Sequence, residues 1–181
     1  MDDRQKEILK YRQVYAKYPD YRMFPDRLQP VVGALKGQSG SFLDVSCGRG
    51  ELLQAAADMG FSPIMGTEAV PELCGYGITE AQIHALPFDD NAFDVVTCID
   101  VIEHLLPQDV ILALHELQRV TRKYLLIAAA DYPTYWDGVN LHPSARPYPA
   151  WDQLFRQELS GKVEELGPTS TSVMWGITYG S

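Results

Sequence analysis

The sequence predicts an α/β protein built on one doubly wound, mostly parallel sheet. Three observations carry that prediction. Short apolar runs alternate with amphipathic helical stretches through most of the 181 residues, the pattern of βαβ units. The segments 42–45 and 93–99 are almost continuously apolar, as strands covered on both faces are. The chain then closes with two strand-like segments, 163–166 and 172–179.

The elements follow in order. Residues 4–18 read as a helix, with Ile8, Tyr11, Tyr15 and Tyr18 spaced by three and four. That stripe either packs on the domain or forms a lid whose tyrosines cover a ligand. Pro19-Asp20 interrupts it, and residues 25–36 give a second helix that ends at Gly37-Gln38-Ser39-Gly40. Phe42, Leu43 and Val45 mark the first strand. The helix over 51–59 follows a glycine turn, with Leu52, Leu53, Ala56 and Ala57 on one stripe and Gly60 as its stop. A second strand ends at Glu68. Pro71–Cys74 leaves room for a short helix, and 78–83 for a weak third strand. After the strong strand 93–99, residues 108–123 read as a long helix with Val110, Ile111, Leu114, Leu117 and Val120 inward and His115 outside the stripe. Strand 124–130, a Pro-rich aromatic loop, and an amphipathic helix over 149–159 (Trp151, Leu154, Phe155, Leu159) precede the closing strands.

Composition bounds the function. Apolar content of 46% and charged content of 22% are those of a soluble globular domain. No apolar run approaches the roughly 20 residues of a membrane helix. The opening MDDRQKEILK carries no secretory apolar core, so a cytoplasmic location is expected. Residues 1–36 hold eight Lys/Arg against five Asp/Glu, and residues 37–181 hold seven against nineteen. An acidic body argues against a nucleic-acid substrate. Cys47, Cys74 and Cys98 fall in or near core elements and read as reduced thiols.

The chemistry centres on the turn Ser46-Cys47-Gly48-Arg49-Gly50. Strand, glycine turn and helix form the first half of a βαβ unit, where backbone approaches a ligand at the strand's carboxyl end. A dinucleotide fingerprint needs a third glycine, and Leu53 stands there. No Gly-Lys-Ser/Thr follows, so the phosphate-loop pattern is also absent. Asp44 at the turn's entrance suits a ligand with cationic groups better than a pyrophosphate. Glu68, about 20 residues beyond the glycines, is placed to accept both ribose hydroxyls of a nucleoside cofactor.

FLDVSCGRGELL resembles the first motif of the class I S-adenosylmethionine (SAM)-dependent methyltransferases, with Ser46 replacing the first glycine. Ala85-Leu86-Pro87-Phe88 through Phe93-Asp94-Val95-Val96 resembles the segment before strand four in the small-molecule members, and Asp100-Val101-Ile102-Glu103-His104-Leu105 resembles their signature after that strand. The resemblance covers about residues 38–130. It implies seven strands with the last antiparallel, residues 1–37 as an N-terminal helical cap, residues 38–181 as a Rossmann-like core, and the whole chain as one domain.

It also implies SAM as methyl donor and S-adenosyl-L-homocysteine as product. By position, Asp44, Ser46, Cys47, Gly48 and Gly50 hold the methionine end, and Glu68 takes the ribose. Gln82, Ile83 and Leu86 meet the adenine, Gln82 standing in for an aspartate, and Asp100 closes the pocket. His104 is either a general base or a structural hydrogen-bonder. Tyr132, Tyr135, Trp136, His142 and Arg146 are read as the wall facing a small-molecule acceptor. Arg146 either pairs an acidic or phosphorylated group or tethers a surface loop. Asp100, His104 and His142 lack zinc spacing, so no metal is assigned. The alternative activity is a catalytically silent SAM-binding subunit, and an NAD-dependent oxidoreductase is disfavoured by Leu53.

Overall fold

The computed structural model describes residues 1–19 and 25–180; Asp20, half of the expected helix break, lies outside them. Strands β1 (Phe42–Val45), β2 (Ile64–Glu68), β3 (Ile78–Glu80), β4 (Phe93–Ile99) and β5 (Thr121–Ala129) are parallel and lie in the order β3-β2-β1-β4-β5. Two more strands complete a seven-stranded sheet. They are β8 (Lys162–Pro168) and β9 (Val173–Thr178), with β9 inserted antiparallel between β5 and β8. The chain order reverses between β1 and β4, which makes their carboxyl ends the crevice where such sheets bind ligands.

Alternation along the strands divides the core. Leu43, Val45, Val96, Cys98, Leu125 and Ile127 face α4 (Val110–Val120) and α5 (Tyr148–Glu158). Phe42, Val95, Leu126 and Ala128 face α2 (Pro25–Ala34) and α3 (Glu51–Asp58). The period of two thus buries both faces of β1, β4 and β5. Asp94, polar in the middle of this run, is held at the sheet's lower edge. Its Oδ2 accepts from the Ser41 N–H at 3.0 Å and hydroxyl at 3.1 Å, and its Oδ1 lies 3.1 Å from Arg122 and 2.9 Å from Lys123. A Cβ on Gly40 would sit 2.2 Å from Asp94 Oδ2, so glycine is required where the chain enters β1.

Four expectations are corrected. The helix expected over 108–123 ends at Val120, because β-branched Thr121 starts β5 and its hydroxyl closes the helix on the Leu117 carbonyl at 2.6 Å. Ile111 is exposed and Ala113 takes the core position, since the true stripe runs 110, 113, 114, 117. Ala57 is likewise exposed, leaving Leu52 and Ala56 as the buried residues of α3. The third strand stops at Glu80, so Gln82 and Ile83 lie in the loop beyond it.

The aromatic loop after β5 also folds into a hairpin, β6 (Tyr135–Trp136) with β7 (Val139–Asn140). Asp137 and Gly138 form its turn, both with positive φ, as an Asp-Gly hairpin turn requires. The N-terminal helix α1 (Asp3–Lys17) starts in a capping box between Asp2 and Gln5. It buries only Lys10 and Val14, and it lies across the carboxyl edge of the sheet.

Candidate functional site

The loop after β1 is set by backbone conformation. Ser46, Gly48 and Gly50 have φ of 59°, 57° and 84°. Ser46 therefore adopts the left-handed conformation that its glycine counterpart would take without strain. Gly48 is also a point of close approach, since a Cβ there would meet the Tyr15 hydroxyl oxygen at 3.0 Å.

Glu68, at the end of β2, fixes the loop. Its Oε2 accepts from the Gly48 N–H at 2.9 Å, and its Oε1 accepts from the Ala69 and Val70 N–H groups at 2.8 and 3.1 Å. Burial raises its pKa in spite of these three bonds. Asp44 is buried beneath the loop, where the Thr97 hydroxyl donates to its Oδ1 at 2.6 Å. Desolvation raises its pKa to about 7. Two buried carboxyl groups, Asp44 and Glu68, thus lie under the loop, which suits a positively charged ligand.

A cleft opens above this floor. Its sheet side is lined by Ser46, Glu68, Val70, Gln82, Ile83, His84, Asp100 and His104, and its opposite wall is α1 through Arg4, Ile8, Tyr11 and Tyr15. Arg4 donates to buried Asp109 through Nη2 and through Nε, the latter shared between both carboxylate oxygens at 3.1 and 3.0 Å, and so ties down the start of α1. Arg12 pairs with Glu72, and Lys17 with Asp137 in the hairpin turn at 3.0 Å. The stripe expected on the first helix thus serves the cleft through Ile8, Tyr11 and Tyr15, while Tyr18 is exposed.

Asp100 follows β4 with φ of 55°. The Ser172 hydroxyl donates to its Oδ1, and Arg27 stands 3.9 Å from its Oδ2. Strained backbone of this kind concentrates at functional sites. His104 Nδ1 lies 2.8 Å from the Leu141 carbonyl oxygen and 2.6 Å from the Tyr11 hydroxyl. Burial, reinforced by the neighbouring His142, lowers its pKa to about 3. His104 is therefore a neutral imidazole at pH 7 and a weak proton acceptor.

Several expected residues are not part of the lining. Asp44 and Cys47 are buried behind it, and Gly48 and Gly50 act through the backbone path. Leu86 lies in the core with its N–H donating to Glu116 at 2.7 Å. None of Tyr132, Tyr135, Trp136, His142 and Arg146 lines the cleft. His142 is buried behind His104, with ring centroids 4.5 Å apart, and Tyr132 packs on it. Tyr135 is exposed, and Trp136 sits under Lys17. The Arg146 guanidinium carbon lies 4.4 Å from the centroid of the Trp151 ring, a cation–π contact. Arg4, His84, Glu103 and Asp109 were not expected. Only Glu103 carried a sequence signal, by its place in the Asp100–Leu105 run.

Residues 43–127 match the family model described as a methyltransferase domain. Protein PH0226 of Pyrococcus horikoshii OT3 superposes with a TM-score of 0.75 at 16% identity, covering 93% of this chain and 99% of that one. The 1,6-didemethyltoxoflavin-N1-methyltransferase of Burkholderia thailandensis, solved with 1,6-didemethyltoxoflavin and S-adenosylhomocysteine bound, gives 0.68 at 13% identity over 100% and 92%. A protein solved in complex with the Haloferax volcanii Trm112 methyltransferase activator gives 0.74 at 15% identity over 97% of each chain. No curated protein matches at the sequence level.

Sheet order, antiparallel last strand and glycine loop define a Rossmann-like methyltransferase fold. In fold, in motif and in the family match over residues 43–127, the chain is similar to the class I SAM-dependent methyltransferases.

Proposed function

We propose that the protein transfers a methyl group from SAM to a small-molecule acceptor. The observation that carries this is the cleft itself. It joins the loop after β1, the ends of β2 and β4, and the tyrosine face of α1 in one enclosure. Bound SAM supplies a methyl group already activated by its sulfonium centre. The residues of the chain supply position and exclusion of water.

In this reading the Ser46–Gly50 backbone and the carboxylates beneath it hold the cationic methionine end. Glu68 accepts the ribose hydroxyls on lone pairs its three amide donors leave. Gln82 and Ile83 take the adenine edge. Asp100, Tyr11 and Tyr15 close over the ligand, and His104 lines the acceptor side of the cleft. The cleft beneath α1 and the acidic body support a small molecule over a nucleic acid.

Turnover tests the proposal. Formation of S-adenosylhomocysteine is measured across a panel of small hydroxy, amino and carboxylic acceptors, with the Tyr11→Ala variant alongside. Acceptor-dependent product that falls in the variant supports methyl transfer. Tight SAM binding without turnover by any acceptor, with or without a partner protein, supports a silent SAM-binding subunit instead.

A further inference from the structure

We propose that Glu103, His104 and His142 bind a divalent transition-metal ion beside the acceptor side of the cleft. One ligand-capable atom from each residue lies within 4.8 Å of the other two. Two separate segments supply them. Glu103 and His104 sit in the turn after β4, and His142 follows β7. The Ser144 N–H donates to the Glu103 carbonyl at 3.1 Å, which holds the second segment against the first.

His142 Nδ1 is 2.7 Å from the Tyr132 carbonyl oxygen; a carbonyl only accepts, so this Nδ1 carries the hydrogen and Nε2 keeps its lone pair. His104 Nδ1 lies 2.8 Å from the Leu141 carbonyl oxygen and 2.6 Å from the Tyr11 hydroxyl, which itself donates to the Leu141 carbonyl at 3.1 Å, so here too Nδ1 is left as the donor and Nε2 keeps its lone pair. Metal-bound histidines are held in this way, the second ring nitrogen donating to a backbone carbonyl or carboxylate. The rings meet edge to face at 87°.

The third ligand provides independent support. Glu103 is 1% exposed. Its Oε1 accepts from the Ala130 N–H at 3.1 Å, while its Oε2 has no hydrogen-bond partner among the described residues. A buried carboxylate oxygen without a donor is costly, and a cation removes that cost.

The donor set selects the ion. Two imidazole nitrogens and one carboxylate oxygen suit Zn²⁺, Mn²⁺, Fe²⁺ or Co²⁺ over the all-oxygen cations Ca²⁺ and Mg²⁺. Three protein ligands leave a coordination position open, as in catalytic zinc sites. Of the three, His104 lines the cleft while Glu103 and His142 lie behind it; if that position reached an acceptor alcohol or carboxylate oxygen, the bound cation would favour its deprotonation. This role in methyl transfer rests on the function proposed above; binding of the metal does not.

The test is a titration of chelator-treated, tag-free protein with Zn²⁺ against a chromophoric competitor, and with Co²⁺ followed by its visible spectrum. Glu103→Gln and His142→Gln are run in parallel, with S-adenosylhomocysteine binding measured on every sample. The expected result is one equivalent bound by the wild type at micromolar affinity or tighter, weakened at least ~10-fold in each variant that still binds S-adenosylhomocysteine. Wild-type protein that binds S-adenosylhomocysteine but neither metal overturns the site and leaves methyl transfer standing, whether or not the variants fold. Equal metal affinity in wild type and folded variants also overturns it. Stoichiometric metal lost in the variants, without S-adenosylhomocysteine binding by the wild type, supports the site and removes the methyl-transfer reading.

Discussion

Ser46 shows how a departure from a motif is absorbed. A left-handed conformation costs a residue with a side chain roughly 1–2 kcal/mol. Ser46 adopts it because its neighbours over-determine the loop: the Cys47 N–H bonds the Thr67 carbonyl at 2.9 Å and Glu68 holds the Gly48 N–H. Ser46→Gly should stabilise the protein by about 0.5–1 kcal/mol, the relieved strain less the added unfolded-state entropy. Denaturant unfolding measures this, and an unchanged or lower midpoint would deny the strain.

Two carboxylates give opposite pH signatures. Asp44, raised from 3.8 to about 7, penalises the folded state when ionised, so stability should fall as pH rises from about 4 to 7. Asp44→Asn should flatten that decline. Asp94 is lowered to about 2, first by the Ser41 amide and then by Lys123. Its contribution is present above about 4 and lost as pH falls through 2, and Asp94→Asn should remove this acid dependence. Stability curves of the two variants across pH separate the effects. At this scale the sequence revealed the residues at strand ends, Ser46, Glu68, Asp100 and His104, because motif position fixes them. It concealed Arg146 and Tyr132, whose partners Trp151 and His142 are set by loop packing and not by any local period.

Among the elements, α1 buries only Lys10 and Val14 and leans on ionic attachment. It is fastened to Asp109, Glu72 and Asp137 by three ion pairs, and Tyr11 meets His104. The two exposed pairs, Arg12–Glu72 and Lys17–Asp137, contribute about 0.2–1 kcal/mol each. Replacing Arg12 and Lys17 together by alanine should therefore accelerate S-adenosylhomocysteine release by up to ~10-fold, and high salt should mimic part of the effect. Stopped-flow displacement measures it; an unchanged rate would mean that α1 does not gate the cleft. The tyrosine spacing in the sequence left packing and lid roles open, because a period locates a face without naming what it covers. The end of α4 was misplaced for a related reason. Residues 121–123 fit a helix locally, and only the pairing of β5 with β4 and the reach of Arg122 and Lys123 to Asp94 make them strand. The Asp137-Gly138 turn, by contrast, was a local signal of the hairpin that the proline-rich loop around it obscured.

At the scale of the molecule, the fold was legible because its strongest signals are local and mutually consistent. The buried runs of β1 and β4, the glycine loop between β1 and α3, and the two closing strands specify a reversal of strand order, and with it the crevice. What the sequence left unspecified is the acceptor wall, which comes from α1 and from contacts across the whole chain. No helix among the described residues is long and apolar enough to cross a membrane.

The central claim is a SAM site organised by Glu68, and calorimetric titration of S-adenosylhomocysteine into wild-type and Glu68→Ala protein tests it most directly. Micromolar binding by the wild type, about −8 kcal/mol, with loss of binding in a variant that remains folded, is the predicted result. Wild-type protein that binds neither SAM nor S-adenosylhomocysteine, or a folded Glu68→Ala variant that binds as tightly as the wild type, would contradict it.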